Sequence, residues 1–124
     1  MLCIWRESRG ESDEAHHAVG WVIKNRVTLG GWYGKGWAGV ILKPWQFSSF
    51  NPADPNASKL PFPDLDPSYG SCLLAAKHVY DGTSVDPTFG ATHYHDTSIA
   101  APAWAKDMDK TVQIGRLVFY KEKA

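Results

Sequence analysis

The strongest hydrophobic periodicity in the chain follows Ser12. Ala15, Ala18, Val19, Val22, Ile23 and Val27 recur at the three-and-four spacing of one apolar helix face. Ser12 stands where an N-cap belongs, and Asp13 and Glu14 put negative charge into the first turn. This helix is expected to end near Arg26–Thr28, ahead of Gly30-Gly31. A shorter helix is expected over residues 1–9, closed by Gly10. A third is predicted from Asp66-Pro67, read as N-cap and first helical residue, through Leu73, Leu74, Ala76, Lys77, Val79 and Tyr80 to Gly82.

The remaining segments carry weaker patterns. Gly90–His95 is a short strand candidate, and Pro102–Lys110 is expected to hold a helical turn. Arg116–Tyr120 (RLVFY) is rich in strand-forming residues and is expected to pair with a neighbour, residues 90–95 being the nearest choice. Residues 30–39 (GGWYGKGWAG) read as a glycine-aromatic loop. It is no phosphate loop, because no Gly-Lys-Ser/Thr closes it. Val40-Ile41-Leu42 reads as a short apolar turn running into Pro44. Residues 51–67, with five prolines, read as a long irregular loop. No repeat, low-complexity tract or interdomain linker is evident. Together these elements predict a helix-dominated α+β domain with a small antiparallel sheet.

Composition narrows the function. A chain of 124 residues fits one domain, and 44% hydrophobic against 21% charged residues argues against disorder. Thirteen Lys+Arg balance thirteen Asp+Glu, so the basic footprint of a nucleic-acid binder is missing, as is a polybasic signal for anionic membranes. No apolar run approaches the ~20 residues of a membrane span. The apolar start, residues 1–5, is interrupted at Arg6 and is too short for the core of a signal peptide. Cys3 and Cys72 permit one disulfide at most and no structural zinc site by themselves. Both sit among apolar residues and are read as buried free thiols. The surplus is aromatic: six Trp, five Tyr and five Phe are more than a core of this size requires. Such rings suit interfaces and the apolar faces of sugars.

Three segments carry candidate chemistry. In Glu7-Ser8-Arg9-Gly10-Glu11 an acid stands at a helix end among apolar neighbours. Desolvation and the negative end of a helix both favour a protonated acid, the form a glycosidic general acid needs. Read alone, the segment is a solvated helix end, with Glu7 or Glu11 paired to Arg9 or Arg26, before it is a catalytic one. In Lys43-Pro44-Trp45-Gln46-Phe47-Ser48-Ser49-Phe50, Gln and Ser between aromatics offer hydrogen bonds to sugar hydroxyls or an acetamido group. The alternative there is a turn whose rings fill the core. In Ala91-Thr92-His93-Tyr94-His95, a strand would place His93 and His95 on one face, a metal-ligand arrangement that lacks a third ligand at readable spacing. No Gly-x-Ser-x-Gly elbow is present, so nucleophilic serine chemistry has little support.

These segments together resemble the SleB/CwlJ-type cell wall hydrolase family, which includes spore cortex-lytic enzymes and phage endolysins. The likeness rests on Glu7-Ser8-Arg9-Gly10-Glu11, Ala18-Val19, Asn25-Arg26, Pro44-Trp45-Gln46-Phe47-Ser48, Gly90-Ala91-Thr92-His93-Tyr94, and Ile114-Gly115-Arg116 before Val118-Phe119-Tyr120. It runs in order from about residue 2 to residue 120. Trp5-Arg6-Glu7-Ser8 also looks like the Glu-Ser segment of lytic transglycosylases and resuscitation-promoting factors.

The resemblance implies a lysozyme-like α+β fold and a single catalytic domain over residues 1–124. It implies cleavage of peptidoglycan glycan strands between N-acetylmuramic acid and N-acetylglucosamine, with Glu7 as the essential acid. The chain begins six residues before Glu7, so either the first helix is expected to be short or upstream residues are missing, a targeting or wall-binding module among the possibilities. Gly10 is expected to break the helix between Glu7 and Glu11. Glu11 is therefore read as a partner of Arg9 or Arg26 before it is read as a second carboxylate, which favours a transglycosylase over a muramidase. Gln46, Ser48, His93 and Tyr94 are expected to line the cleft, and Trp32, Trp37, Trp45 and Trp104 are the stacking candidates. No metal and no cofactor is expected. The expected partner is the glycan strand, with no nucleic acid and no membrane, and the protein is expected to be a monomer. It would act on the bacterial wall or spore cortex, as a phage endolysin or a trimmed secreted domain. The rival readings are a zinc amidase cutting the muramoyl–alanine bond through His93 and His95, and a sugar-binding module without activity.

Overall fold

The computed structural model describes residues 1–8, 10–43 and 68–123. The long helix after Ser12 is its centre. Helix α1 spans Leu2–Ser8 and α2 spans Asp13–Leu29. Ser12 caps α2, its hydroxyl accepting the Ala15 N–H at 3.2 Å, and Gly30 ends it with an N–H to the Arg26 carbonyl. The expected apolar face is the one buried: Ala15, Ala18, Val19 and Val22 have no solvent exposure. Against it pack α1, α3 (Gly36–Ile41) and α4 (Tyr69–Asp81). Gly20 permits this closeness, since a Cβ there would meet Val79 Cγ2 at 3.0 Å and Ile4 Cδ1 at 3.1 Å. Helix α4 ends at Gly82 in the left-handed conformation, as its sequence predicted.

The glycine-aromatic segment is more ordered than a loop reading allows. Gly31–Tyr33 is a 3-10 turn and Gly36–Ile41 is α3. Glycine is a poor helix former, so local propensity hides this. Burial of Tyr33 and Val40 in the core overrides it. Gly34 makes the junction, at φ +117° and against Gly39, whose carbonyl oxygen would lie 2.6 Å from any Cβ.

The sheet has three antiparallel strands in the order β1-β3-β2. Strand β1 is His93–Asp96, β2 is Met108–Ile114 and β3 is Leu117–Glu122. The expected pairing of the RLVFY segment with residues 90–95 is present, with His93 opposite Tyr120 and Tyr94 opposite Phe119. Strand β1 begins three residues later than Gly90. A 3-10 turn over Ala103–Asp107 supplies the helical turn expected there. The second strand lies where no strand was expected. It is an edge strand carrying Asp109 and Lys110, and a register shift between Lys110 and Val112 breaks its alternation.

Strand β3 lies between the others, and its alternation feeds two cores. Leu117 and Phe119 join the helical core, whereas Val118 and Tyr120 pack with Ala105, Trp104 and Met108. Cys3 and Cys72 are buried and are not joined in a disulfide, and burial pushes the Cys3 thiol well up, so it is held un-ionised. No described helix is long and apolar enough to cross a membrane.

Candidate active site

Glu7 stands in the last turn of α1, held there because Cys3, Ile4 and Trp5 anchor the helix in the core. The Tyr94 hydroxyl, arriving from β1, donates to Glu7 Oε1 at 2.6 Å. The Tyr94 ring lies 5.6 Å from that of Phe119. Burial, with the Glu7 charge beside it, pushes the Tyr94 pKa well up, so its hydroxyl remains a proton donor. The acid of the helical layer is thus held by the sheet.

The strand is placed by the end of α2. Asn25 Nδ2 donates to the Ala91 carbonyl at 2.9 Å and to Asp86 Oδ2 at 3.0 Å. The next residue, Arg26, is buried and donates from Nε to the Thr92 carbonyl at 2.6 Å. Adjacent residues of one helix therefore grip adjacent carbonyls just before β1. Arg26 also brings a buried positive charge that acts on both Tyr94 and Glu7.

In front of Glu7 lies an open polar cleft of about 270 Å³, lined by Arg6, Ser8, Gly10, Glu11, Asp96 and Arg116 besides the acid. Asp96 and Arg116 form an ion pair at 3.1 Å across its rim. Partial burial opposes the charge on Asp96. The Ser98 backbone N–H and hydroxyl, with the Arg116 guanidinium, outweigh that and hold its carboxyl below the usual range. Glu11 Oε1 accepts the Arg116 backbone N–H at 3.2 Å. The helix is broken between Glu7 and Glu11, as Gly10 led one to expect, and the turn carries Glu11 toward the β2–β3 hairpin. Its partner in the described residues is therefore Arg116, while the Arg26 Nε is engaged by Thr92.

Strand alternation separates the other candidates. His93 and His95 face away from Tyr94, into the second core. The His93 ring lies 5.0 Å from Trp104 and 6.0 Å from Tyr33, and its Nδ1 is 2.9 Å from Thr92 Oγ1. Burial, then the Arg26 charge, lowers its pKa to about 4. His95 donates from Nδ1 to the Asp96 carbonyl, and its Nε2 accepts the Tyr120 hydroxyl at 3.0 Å. Among the described residues no three His, Cys, Asp or Glu side chains converge as a metal-holding group.

Of the tryptophans, Trp32 is 65% exposed beneath Lys43, Trp37 packs on the helical core beside Tyr80, and Trp104 sits among His93, His95 and Tyr120. Arg9, Trp45, Gln46 and Ser48 lie outside the described residues. Sequence reasoning missed Asp96 as a cleft residue. The period-two alternation that brings Tyr94 to Glu7 also puts Asp96 on that face, so the signal was available.

A helical core, a small antiparallel sheet and an acid clamped between them define a lysozyme-like α+β enzyme domain. The chain belongs to the cell wall hydrolase family, whose sequence profile matches residues 10–120. It is similar to the catalytic domain of the Bacillus cereus SleB protein, at 28% identity, with 96% of this chain and 84% of that chain covered and a TM-score of 0.67. It is also similar to the catalytic domain of the germination-specific lytic transglycosylase SleB from Bacillus anthracis, at 28% identity, 96% and 88% coverage and a TM-score of 0.69. No curated protein sequence matches it.

Proposed function

We propose that this chain is a single catalytic domain that cleaves peptidoglycan glycan strands between N-acetylmuramic acid and N-acetylglucosamine, with Glu7 as general acid and then general base. The observation that carries this reading is the 2.6 Å bond from the Tyr94 hydroxyl to Glu7 Oε1 at the edge of the polar cleft. With Oε1 held, Oε2 is the oxygen left to carry the proton. Glu7 gives that proton to the glycosidic oxygen as the bond breaks through an oxocarbenium-like state. The resulting carboxylate takes the proton of the muramic C6 hydroxyl, whose oxygen closes onto C1 as an anhydro ring.

Two observations favour this transglycosylase course over hydrolysis. A hydrolase of the usual kind needs a second carboxylate to activate water or trap the sugar. The two other described acids that line the cleft are already engaged, Glu11 with the Arg116 N–H and Asp96 with the Arg116 guanidinium. The Bacillus anthracis relative is itself described as a lytic transglycosylase. The site of action is then the bacterial wall or spore cortex.

Mass spectrometry of purified sacculi treated with the protein tests the reading. Anhydro-muramic ends are expected from the native chain, and Glu7→Gln should fold normally and release none. Full release by Glu7→Gln, or products with free amino groups in place of new sugar ends, would overturn it.

A further inference from the structure

Two histidines that line no part of the cleft face each other across the packed helices α2 and α4. His17 Nε2 and His78 Nδ1 stand 3.1 Å apart, with the ring centroids 5.4 Å apart and the planes tilted by 31°. Both side chains are half-buried, so the pair is fixed by its surroundings and still reached by solvent. Gly20, one turn beyond His17, lets the helices close onto Val79, the neighbour of His78. That approach brings the two rings together.

The backbone aims the His17 lone pair. His17 Nδ1 lies 2.9 Å from the Asp13 carbonyl oxygen, one turn back along α2. A carbonyl only accepts, so Nδ1 carries a proton, and the lone pair of the neutral ring lies on Nε2, the atom that faces His78. A ring N–H given to a backbone carbonyl is the arrangement that fixes the tautomer and direction of metal-bound histidines. Without a metal, His78 donates its Nδ1–H to that lone pair. Moving the His78 proton from Nδ1 to Nε2 gives both rings a lone pair aimed at one point, with no net proton released.

The separation suits a shared ion. Zinc–imidazole bonds are about 2.0–2.1 Å long, so two such nitrogens stand ~3.3–3.4 Å apart at a tetrahedral angle and ~2.8–3.0 Å apart at a right angle. The 3.1 Å of this pair lies between those limits. Imidazole nitrogens select zinc, nickel and copper over magnesium and calcium, which require oxygen ligands. Among the described residues no third His, Cys, Asp or Glu joins the pair, so water completes the coordination. Asp13 and Glu14 stand one turn before His17, and Asp81 one turn after His78. Of the nearby cations, Lys77 precedes His78, and Lys24 is drawn to the Val79 carbonyl at 2.9 Å.

We propose that His17 and His78 form a two-histidine site for a divalent cation of the zinc, nickel and copper class, which clips α2 to α4. The two ligands are 61 positions apart in the chain, so folding brings them together and a bound ion favours the folded state. The site takes no part in glycan cleavage, and the inference is independent of the role of Glu7.

Thermal unfolding of the intact chain with added zinc chloride tests the site. A hundredfold excess of zinc over its dissociation constant should raise Tm by roughly 5–10 °C. EDTA should reverse the rise, and calcium chloride should give none. His17→Gln and His78→Gln should each abolish the response. Nitrogen-15 NMR of the native chain is a second readout that needs no variant. Zinc should move the signals of His17 Nε2 and His78 Nδ1. It should leave in place the rings of His16, His93 and His95, which are engaged by Ser71, Thr92 and Tyr120. No zinc-dependent rise in Tm, a native-sized rise in either variant, or shifts confined to the other histidines would overturn the proposal.

Discussion

Arg26 Nε lies 2.6 Å from the carbonyl oxygen of Thr92, and this contact ties the end of the central helix to the start of the strand that holds the acid. Thr92 is two residues ahead of Tyr94, so a shift at this contact passes directly to the hydroxyl on Glu7. A hydrogen bond from a charged group is worth about 1.5–3 kcal/mol. Arg26→Gln is expected to lose stability on that scale in urea unfolding and to lower kcat as well. Unfolding at the native midpoint would show that the contact carries no weight.

The Tyr94 hydroxyl can be removed with less disturbance. Tyr94→Phe keeps the ring against Phe119 and deletes only the donor to Glu7. The expected loss in kcat is roughly tenfold, about 1.4 kcal/mol, with KM unchanged. Steady-state kinetics on sacculi checks this, and a native kcat would mean that Glu7 needs no fixed oxygen.

Much of this architecture is local enough to be legible in the sequence. Helix α2 is announced by Ser12, by its first-turn acids and by an apolar spacing that becomes the buried face. The RLVFY strand and its partner follow from composition. What escapes is decided by contacts between distant residues. Helix α3 forms in a glycine-rich segment because Val40 is buried, and β2 hides behind a bulge and exposed charges. At the site, Glu7 is visible as an acid at a helix end, and the Asn25-Arg26 pair is visible as a motif. Its purpose, gripping Ala91 and Thr92 some 66 positions away, appears only in three dimensions. The same holds for Glu11, whose partner proves to be the Arg116 backbone.

Acid stability follows from His93. Its pKa in the fold, about 4, lies below the ordinary 6.5, because the half-buried ring between Tyr33 and Trp104 resists charging. A depressed histidine contributes stability that is complete above pH 6.5 and is lost as pH falls from there toward about 4. Asp96 acts in a lower window. Its carboxyl is held below the ordinary 3.8, so its contribution is present above that value and fades as pH drops further. Thermal unfolding of the native chain against His93→Gln between pH 4 and 7 separates the two. The variant should lose most of the decline, and parallel curves would refute the assignment.

The last prediction concerns a residue in an unfavourable conformation. Phe89 has φ +57° and is 69% exposed, just before Gly90 at φ +89°. Its loop is pinned by Asp86, which accepts the N–H and hydroxyl of Thr88, the Gly90 N–H and the Asn25 amide. The backbone angle is thus imposed by neighbours, and a bulky side chain there costs roughly 1–2 kcal/mol. Asparagine tolerates the left-handed region and glycine does so freely, although glycine also raises the entropy of the unfolded chain. Phe89→Asn is therefore expected to raise stability by about 1 kcal/mol in urea unfolding, and Phe89→Gly by less. Because the Asp86 bonds involve no atom of the Phe89 side chain, the site geometry should be unchanged. A drop in stability for the asparagine variant would mean that the exposed ring packs in a way that outweighs the strain.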